Sequence, residues 1–196
     1  MTKTDPNLLR TILLLSLCFA LTGTTSSLTV SASPLVGFKI SDNQALATLP
    51  LSFHLIGTML AGIPASLLMK NVGRRYGFMI GTGIGAFGAA SAAGSIIYSN
   101  FYLFCISIFC LGILSGFAQL YRFAAADVAT HEFKTKAVSL VMIGGIIAGF
   151  IGPTVASKAK DLIPNAEFAG SYLFVIMFHV LIVLILLGTR LPRPDD

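Results

Sequence analysis

Two histidines, one arginine and a run of hydroxyls sit inside long apolar stretches, where polar chemistry needs a reason. His54 and His179 fall near the middle of such stretches, and Arg122 near the end of another. Ionisable groups within hydrocarbon are costly, so each is a functional candidate by default. The imidazoles suit proton handling or metal contact, and the guanidinium suits an anionic solute or a gate at the inner surface. The structural alternative is equally concrete: a neutral histidine bonded to a neighbouring helix, and an interfacial arginine snorkelling to pair with Asp127. Thr22, Thr24, Thr25, Ser26, Ser27, Thr29 and Ser31 fill half of the first apolar run, while Ser115 and Gln119 stand in the fourth. These make a cavity lining or interhelical hydrogen bonds, the latter worth about 0.6 kcal/mol each in membranes. Met177 and His179 are two apart and point to different sides of a helix, so they make no metal pair. Cys18, Cys105 and Cys110 all lie in apolar runs and read as small buried hydrophobes rather than a disulfide frame or zinc site. No metal site and no cofactor is expected.

The elements that position these residues follow from composition. The chain has 196 residues, 55% apolar and 11% charged, with mean hydropathy +0.86. A soluble domain carries about 25% charged residues. The chain is a polytopic membrane protein, and the lipid bilayer is its first partner. A net charge of +5 raises nucleic acid as a partner, but the cations lie between apolar runs and no binding motif accompanies them. Nucleic acid is excluded.

Read in order, six spans are expected, at about 7–31, 44–69, 78–98, 101–126, 137–156 and 168–188. Asp5-Pro6 starts the first helix. A cleaved signal peptide ending at Ser31-Ala32-Ser33 is the competing reading, which the length of the span and the five that follow oppose. Residues 34–41 are expected as an outer loop, with Asp42 or Asn43 capping the second span. Pro50 and Pro64 predict kinks in it. Lys70 to Gly77 read as a basic turn at the inner surface. In the third span Gly77, Gly81, Gly85, Ala89 and Ala93 recur every four residues, a packing face for another helix. Ser99-Asn100 give a tight outer turn. The run from Gly144 to Pro153 combines close packing with a break in the fifth span. With both termini in the cytoplasm, ten cations lie inside and only Lys39, Lys158 and Lys160 lie outside, which obeys the positive-inside rule.

The turn Gly73-Arg74-Arg75 between spans two and three, with Gly149-x-x-Gly152-Pro153 in span five, resembles the N-terminal six-helix half of a major facilitator superfamily transporter. The resemblance covers essentially the whole chain. It implies an all-α membrane fold, a single domain over 1–196 built as two inverted three-helix repeats, in the bacterial inner membrane. It also implies gradient-driven transport of a small solute by alternating access, without enzymatic activity. In that fold spans one and four face the central pathway, which makes Thr25, Ser26, Ser115 and Gln119, together with His54, Arg122 and His179, the candidate solute-contacting set. There are departures. Lys70 stands where the loop motif has an aspartate three residues before the glycine, and Ile108 stands where the fourth span has an arginine.

The segment Tyr121 to Asp127, with Lys136 to Ser139 and Gly144 to Pro153, is similar to a bacterial subfamily of copper importers for cytochrome oxidase assembly and riboflavin importers. That implies a small nutrient or metal ion as cargo. No Asp or Glu lies at mid-depth in any span, so coupling would fall to a histidine or to a further half. Family members have about twelve spans with the solute held between two halves. The expected assembly is therefore with a second six-helix half or a copy of the chain; the alternative is a truncated or non-transporting membrane protein acting as an assembly partner. A Gly-x-Ser-Gly protease signature, paired Asn-Pro-Ala turns and a phosphate-binding Gly-x-x-x-x-Gly-Lys loop are all absent from the sequence.

Overall fold

The computed structural model describes residues 6–189 and Leu191. Asp5, Lys3, Arg190 and Arg193, which enter the expected cap and charge balance, lie outside the described residues. The helices are α1 (Pro6–Ile40), α2 (Leu49–Val72), α3 (Arg74–Ile97), α4 (Phe101–Ala118), α5 (Tyr121–Val128), α6 (Lys134–Ala159) and α7 (Ala169–Gly188), with a 3-10 turn at Gln44–Leu46. No strand occurs among the described residues. With α4 and α5 forming one span, six helical segments are long and apolar enough to cross a bilayer.

α1 packs along α6 and α2 along α4, while α3 lies on α7 and α1 touches α4. Exchanging the first three spans with the last three carries the α1–α6 contact onto the α4–α2 contact and returns the other two to themselves. This is the pattern of two inverted three-helix repeats. Glycines set the crossings. A Cβ at Gly112 would collide with the His54 carbonyl, and one at Gly152 would sit 2.6 Å from the Ser27 Cβ. On α3 the expected small-residue stripe is buried: Gly81 lies against Phe117, and Gly85 against Leu114 and His179.

Several expected boundaries are corrected. Residues 34–40 are not a loop, because α1 continues to Ile40 with Pro34 inside it. A helix in hydrocarbon keeps its backbone bonds internal, and one missing N–H costs less than unwinding a turn. Asn43 does act as a cap, accepting from the Ala45 N–H at 3.0 Å, but it caps the 3-10 turn. Pro50 falls in the first turn of α2, where no helical bond is lost, and so makes no kink.

The basic turn shrinks to Gly73, whose φ of 87° and ψ of 156° are essentially glycine-only. The fourth span ends its straight run at Ala118 and resumes at Tyr121. The fifth span is unbroken through Gly149, Gly152 and Pro153. Pro153 has no N–H for the Gly149 carbonyl four residues before it. The Ser27 hydroxyl of α1 donates to that carbonyl instead, at 3.3 Å. The missing bond is restored from the neighbouring helix, and α6 continues to Ala159.

Candidate functional site

The α2–α4 contact is close enough to bring backbone against backbone. Thr58 Oγ1 donates within α2 to the His54 carbonyl at 2.9 Å and across to the Gly112 carbonyl at 3.1 Å. That closeness places the His54 ring against α4, with Nε2 3.2 Å from Ser115 Oγ. Ser115 Oγ is in turn 2.6 Å from Ser26 Oγ of α1. One polar chain therefore ties α1, α2 and α4 together at mid-depth. His54 and Ser115 are buried, and Ser26 is partly exposed.

Helical spacing shows which way this cluster opens. Val30, one turn beyond Ser26, is exposed, and Gln119, one turn beyond Ser115, is exposed too. These two exposed positions lie on α1 and α4, which pack on each other and are flanked by α6 and α2. Arg122 follows Gln119 in the first turn of α5. Its guanidinium carbon lies 5.1 Å from the Phe123 ring centroid, within cation–π range, and its Nε has no hydrogen-bond partner.

The remaining sequence candidates lie apart from this group. Thr25 is buried and turns back on its own helix, donating to the Leu21 carbonyl at 3.3 Å. Thr22, Thr24, Thr29 and Ser31 do the same, so most of the hydroxyl run satisfies itself within α1. His179 sits between α7 and α3, with Nδ1 2.6 Å from the Val175 carbonyl and Nε2 beside Gly85. The structure does not bring it to His54. Arg122 does not pair with Asp127, because Asp127 is taken by Arg74, whose Nε donates to it at 2.7 Å. Arg75 donates to the Leu187 carbonyl at 2.8 Å, where a cation favours the C-terminus of α7. Arg74 and Arg75 thus join the N-terminal end of α3 to the C-terminal ends of α5 and α7.

Sequence reasoning missed Thr58, and it named Ser27 in the hydroxyl run without its partner, the Gly149 carbonyl. The signal for Ser27 was present: a proline in a span leaves a carbonyl four residues earlier that needs a donor. No three His, Cys, Asp or Glu side chains gather as a metal site among the described residues. A cavity of 480 Å³ lies at the C-terminal ends of α1 and α3, beside the α6–α7 loop, and no residue of α2 or α4 lines it. Neither Ser26 nor Gln119 lines it.

Residues 15–196 match the family model described as Major Facilitator Superfamily. The chain belongs to the Major Facilitator Superfamily. It is 37% identical over 184 residues to the riboflavin transporter RfnT of Brucella anthropi, which covers 94% of this chain and 46% of that protein. It is 24% identical over 188 residues to the uncharacterized MFS-type transporter YdeG of Bacillus subtilis, covering 94% and 44%. The chain spans about half the length of the curated relatives it matches. Among solved structures, the Escherichia coli fucose:proton symporter FucP superposes with a TM-score of 0.72 at 20% identity, over 96% of this chain and 50% of that one. An auto-inhibited POT family peptide transporter gives 0.71 at 14% identity, over 95% and 39%. These two show the fold.

The family fold, the six apolar spans and the bacterial relatives fit a multi-pass protein of the bacterial inner membrane. Gly73 separates spans two and three, and Arg74 and Arg75 bond to Asp127 of α5 and to the Leu187 carbonyl of α7. On α6, Gly152 is buried against Ser27 and Leu28 of α1 and the Gly149 carbonyl accepts from Ser27, whereas Gly149 and Pro153 themselves are exposed.

Proposed function

We propose that this chain forms one six-helix wall of a secondary transporter for a small solute, and that the solute is riboflavin. The observation that carries the pathway is the His54–Ser115–Ser26 chain, with Gln119 open beside it, on helices α1, α2 and α4. Its groups are neutral hydrogen-bonding groups placed in an apolar setting, which suits a polar but uncharged solute. Riboflavin is such a solute, and 37% identity to a riboflavin transporter over nearly the whole chain supports it. Transport would alternate by rocking this bundle against a second six-helix unit in front of α2 and α6. That unit is a second half or another copy of the chain.

Proteoliposomes containing the chain, with riboflavin outside, test the reading through accumulated flavin fluorescence. Uptake above empty vesicles, reduced at least tenfold by His54→Leu, is expected. Binding and uptake indistinguishable from empty vesicles, in the presence of a well-folded protein, would remove riboflavin as the solute.

A further inference from the structure

The hydrogen bonds around His54 fix more than its position. A neutral imidazole has one N–H and one bare nitrogen. Nε2 is 3.2 Å from Ser115 Oγ, whereas Nδ1 is buried with no hydrogen-bond partner. Ser115 has its own acceptor in the Leu111 carbonyl at 3.1 Å, and Ser26 lies 2.6 Å away with Thr22 O as a further acceptor at 3.3 Å. If Nε2 carries the proton, every N–H and O–H in this chain has an acceptor. If Nδ1 carries it, a buried N–H is orphaned, and orphaned buried donors are rarer than orphaned acceptors. The proton therefore belongs on Nε2, and Nδ1 is a bare acceptor held at mid-depth.

We infer that His54 Nδ1 is a specificity-determining acceptor that takes a hydrogen bond from an N–H or O–H of the transported solute. This deepens the proposed function and rests on it for the choice of probe. The atom is covered in this conformation, so the hydrogen bond forms when the bundle opens on its pathway side. His179 has the complementary arrangement. Its Nδ1 is bonded to the Val175 carbonyl and its Nε2 faces Gly85 of α3, so its bare nitrogen is closed off by a helix. His54 instead joins Ser115 and Ser26, one turn from exposed Gln119 and Val30.

The test uses the full chain in nanodiscs, with side-chain ¹⁵N-labelled histidine and three flavin probes. Nδ1 of His54 is expected to be unprotonated, and a protonated Nδ1 overturns the inference. Riboflavin is expected to bind at least tenfold more tightly than one of its analogues. The analogue is N3-methylriboflavin if the imide N–H is the donor, or lumiflavin if a ribityl hydroxyl is. Asparagine places an amide near the Nδ1 position and glutamine near Nε2. His54→Asn should therefore keep the discrimination and His54→Gln should lose it, with thermal melting showing both variants folded. Equal binding of all three flavins to the unmodified chain, or discrimination that survives His54→Gln, overturns the inference and leaves riboflavin as solute. If no flavin binds, the riboflavin reading falls and the ¹⁵N spectrum alone decides the acceptor.

Discussion

Two histidines lie buried within the spans, and their surroundings differ. His54 reaches from α2 to Ser115 of α4, which reaches Ser26 of α1, so three helices share one polar chain beside exposed Gln119. His179 bonds only to the carbonyl one turn back on α7 and presses its other nitrogen on Gly85 of α3. The same side chain, equally buried, joins three helices in one case and two in the other, and the proposed function gives the pathway role to His54 alone. Burial of an ionisable group in a span marks a candidate; the helices it joins decide the role.

The largest expected effect that would break this comparison is at the close contacts themselves. Gly112→Ala drives a methyl into the His54 carbonyl, a backbone atom that cannot turn aside. It should cost about 3 kcal/mol and scramble the His54 chain, read as loss of a cooperative melt in detergent. Gly85→Ala meets the His179 ring at 2.8 Å and the flexible Leu114 side chain. About 1 to 2 kcal/mol of destabilisation is expected there, with solute selectivity unchanged in the folded fraction. If Gly85→Ala altered selectivity instead, the α3–α7 contact would belong to the pathway.

Next in size are the histidines. His54→Leu should lower riboflavin uptake at least tenfold, equivalent to about 1.4 kcal/mol, whereas His179→Leu should leave uptake within twofold of the unmodified chain when corrected for protein amount. Equal losses would erase the distinction. Gly73→Ala, at a φ of 87°, should cost about 1 to 3 kcal/mol of stability without touching selectivity. The smallest effect is Ser27→Ala, which removes the donor to the Gly149 carbonyl. A loss of about 0.6 kcal/mol is expected from thermal unfolding, with uptake retained.

These contrasts also show what the sequence could tell. The six spans and a basic turn within Lys70 to Gly77 were legible because hydropathy and charge act locally, but that the two helices close in until only Gly73 separates them was not. The stripe from Gly77 to Ala93 was legible because helical periodicity alone defines a face. Partners distant in the chain were not. Arg122 seemed the natural mate for Asp127, five residues on, yet Arg74, 53 residues away, takes it. The expected break at Pro153 fails because its remedy, Ser27, lies 122 residues from the orphaned carbonyl. The hydroxyl run read as one lining, but back-bonding within α1 leaves Ser26 as its contribution to the His54 chain. His54 was singled out by type and depth; that Ser115, 61 residues away, holds its Nε2 needed the α2–α4 crossing.

The most direct measurement of the central claim is thiol accessibility in membranes, in a chain with Cys18, Cys105 and Cys110 replaced by alanine. Single cysteines at Ser26, Gln119 and His179 would be treated with a membrane-impermeant maleimide, with and without riboflavin. The account predicts labelling of Ser26→Cys and Gln119→Cys that riboflavin slows, and no labelling of His179→Cys. Labelling of His179→Cys that riboflavin blocks, with the other two positions inert, would contradict it.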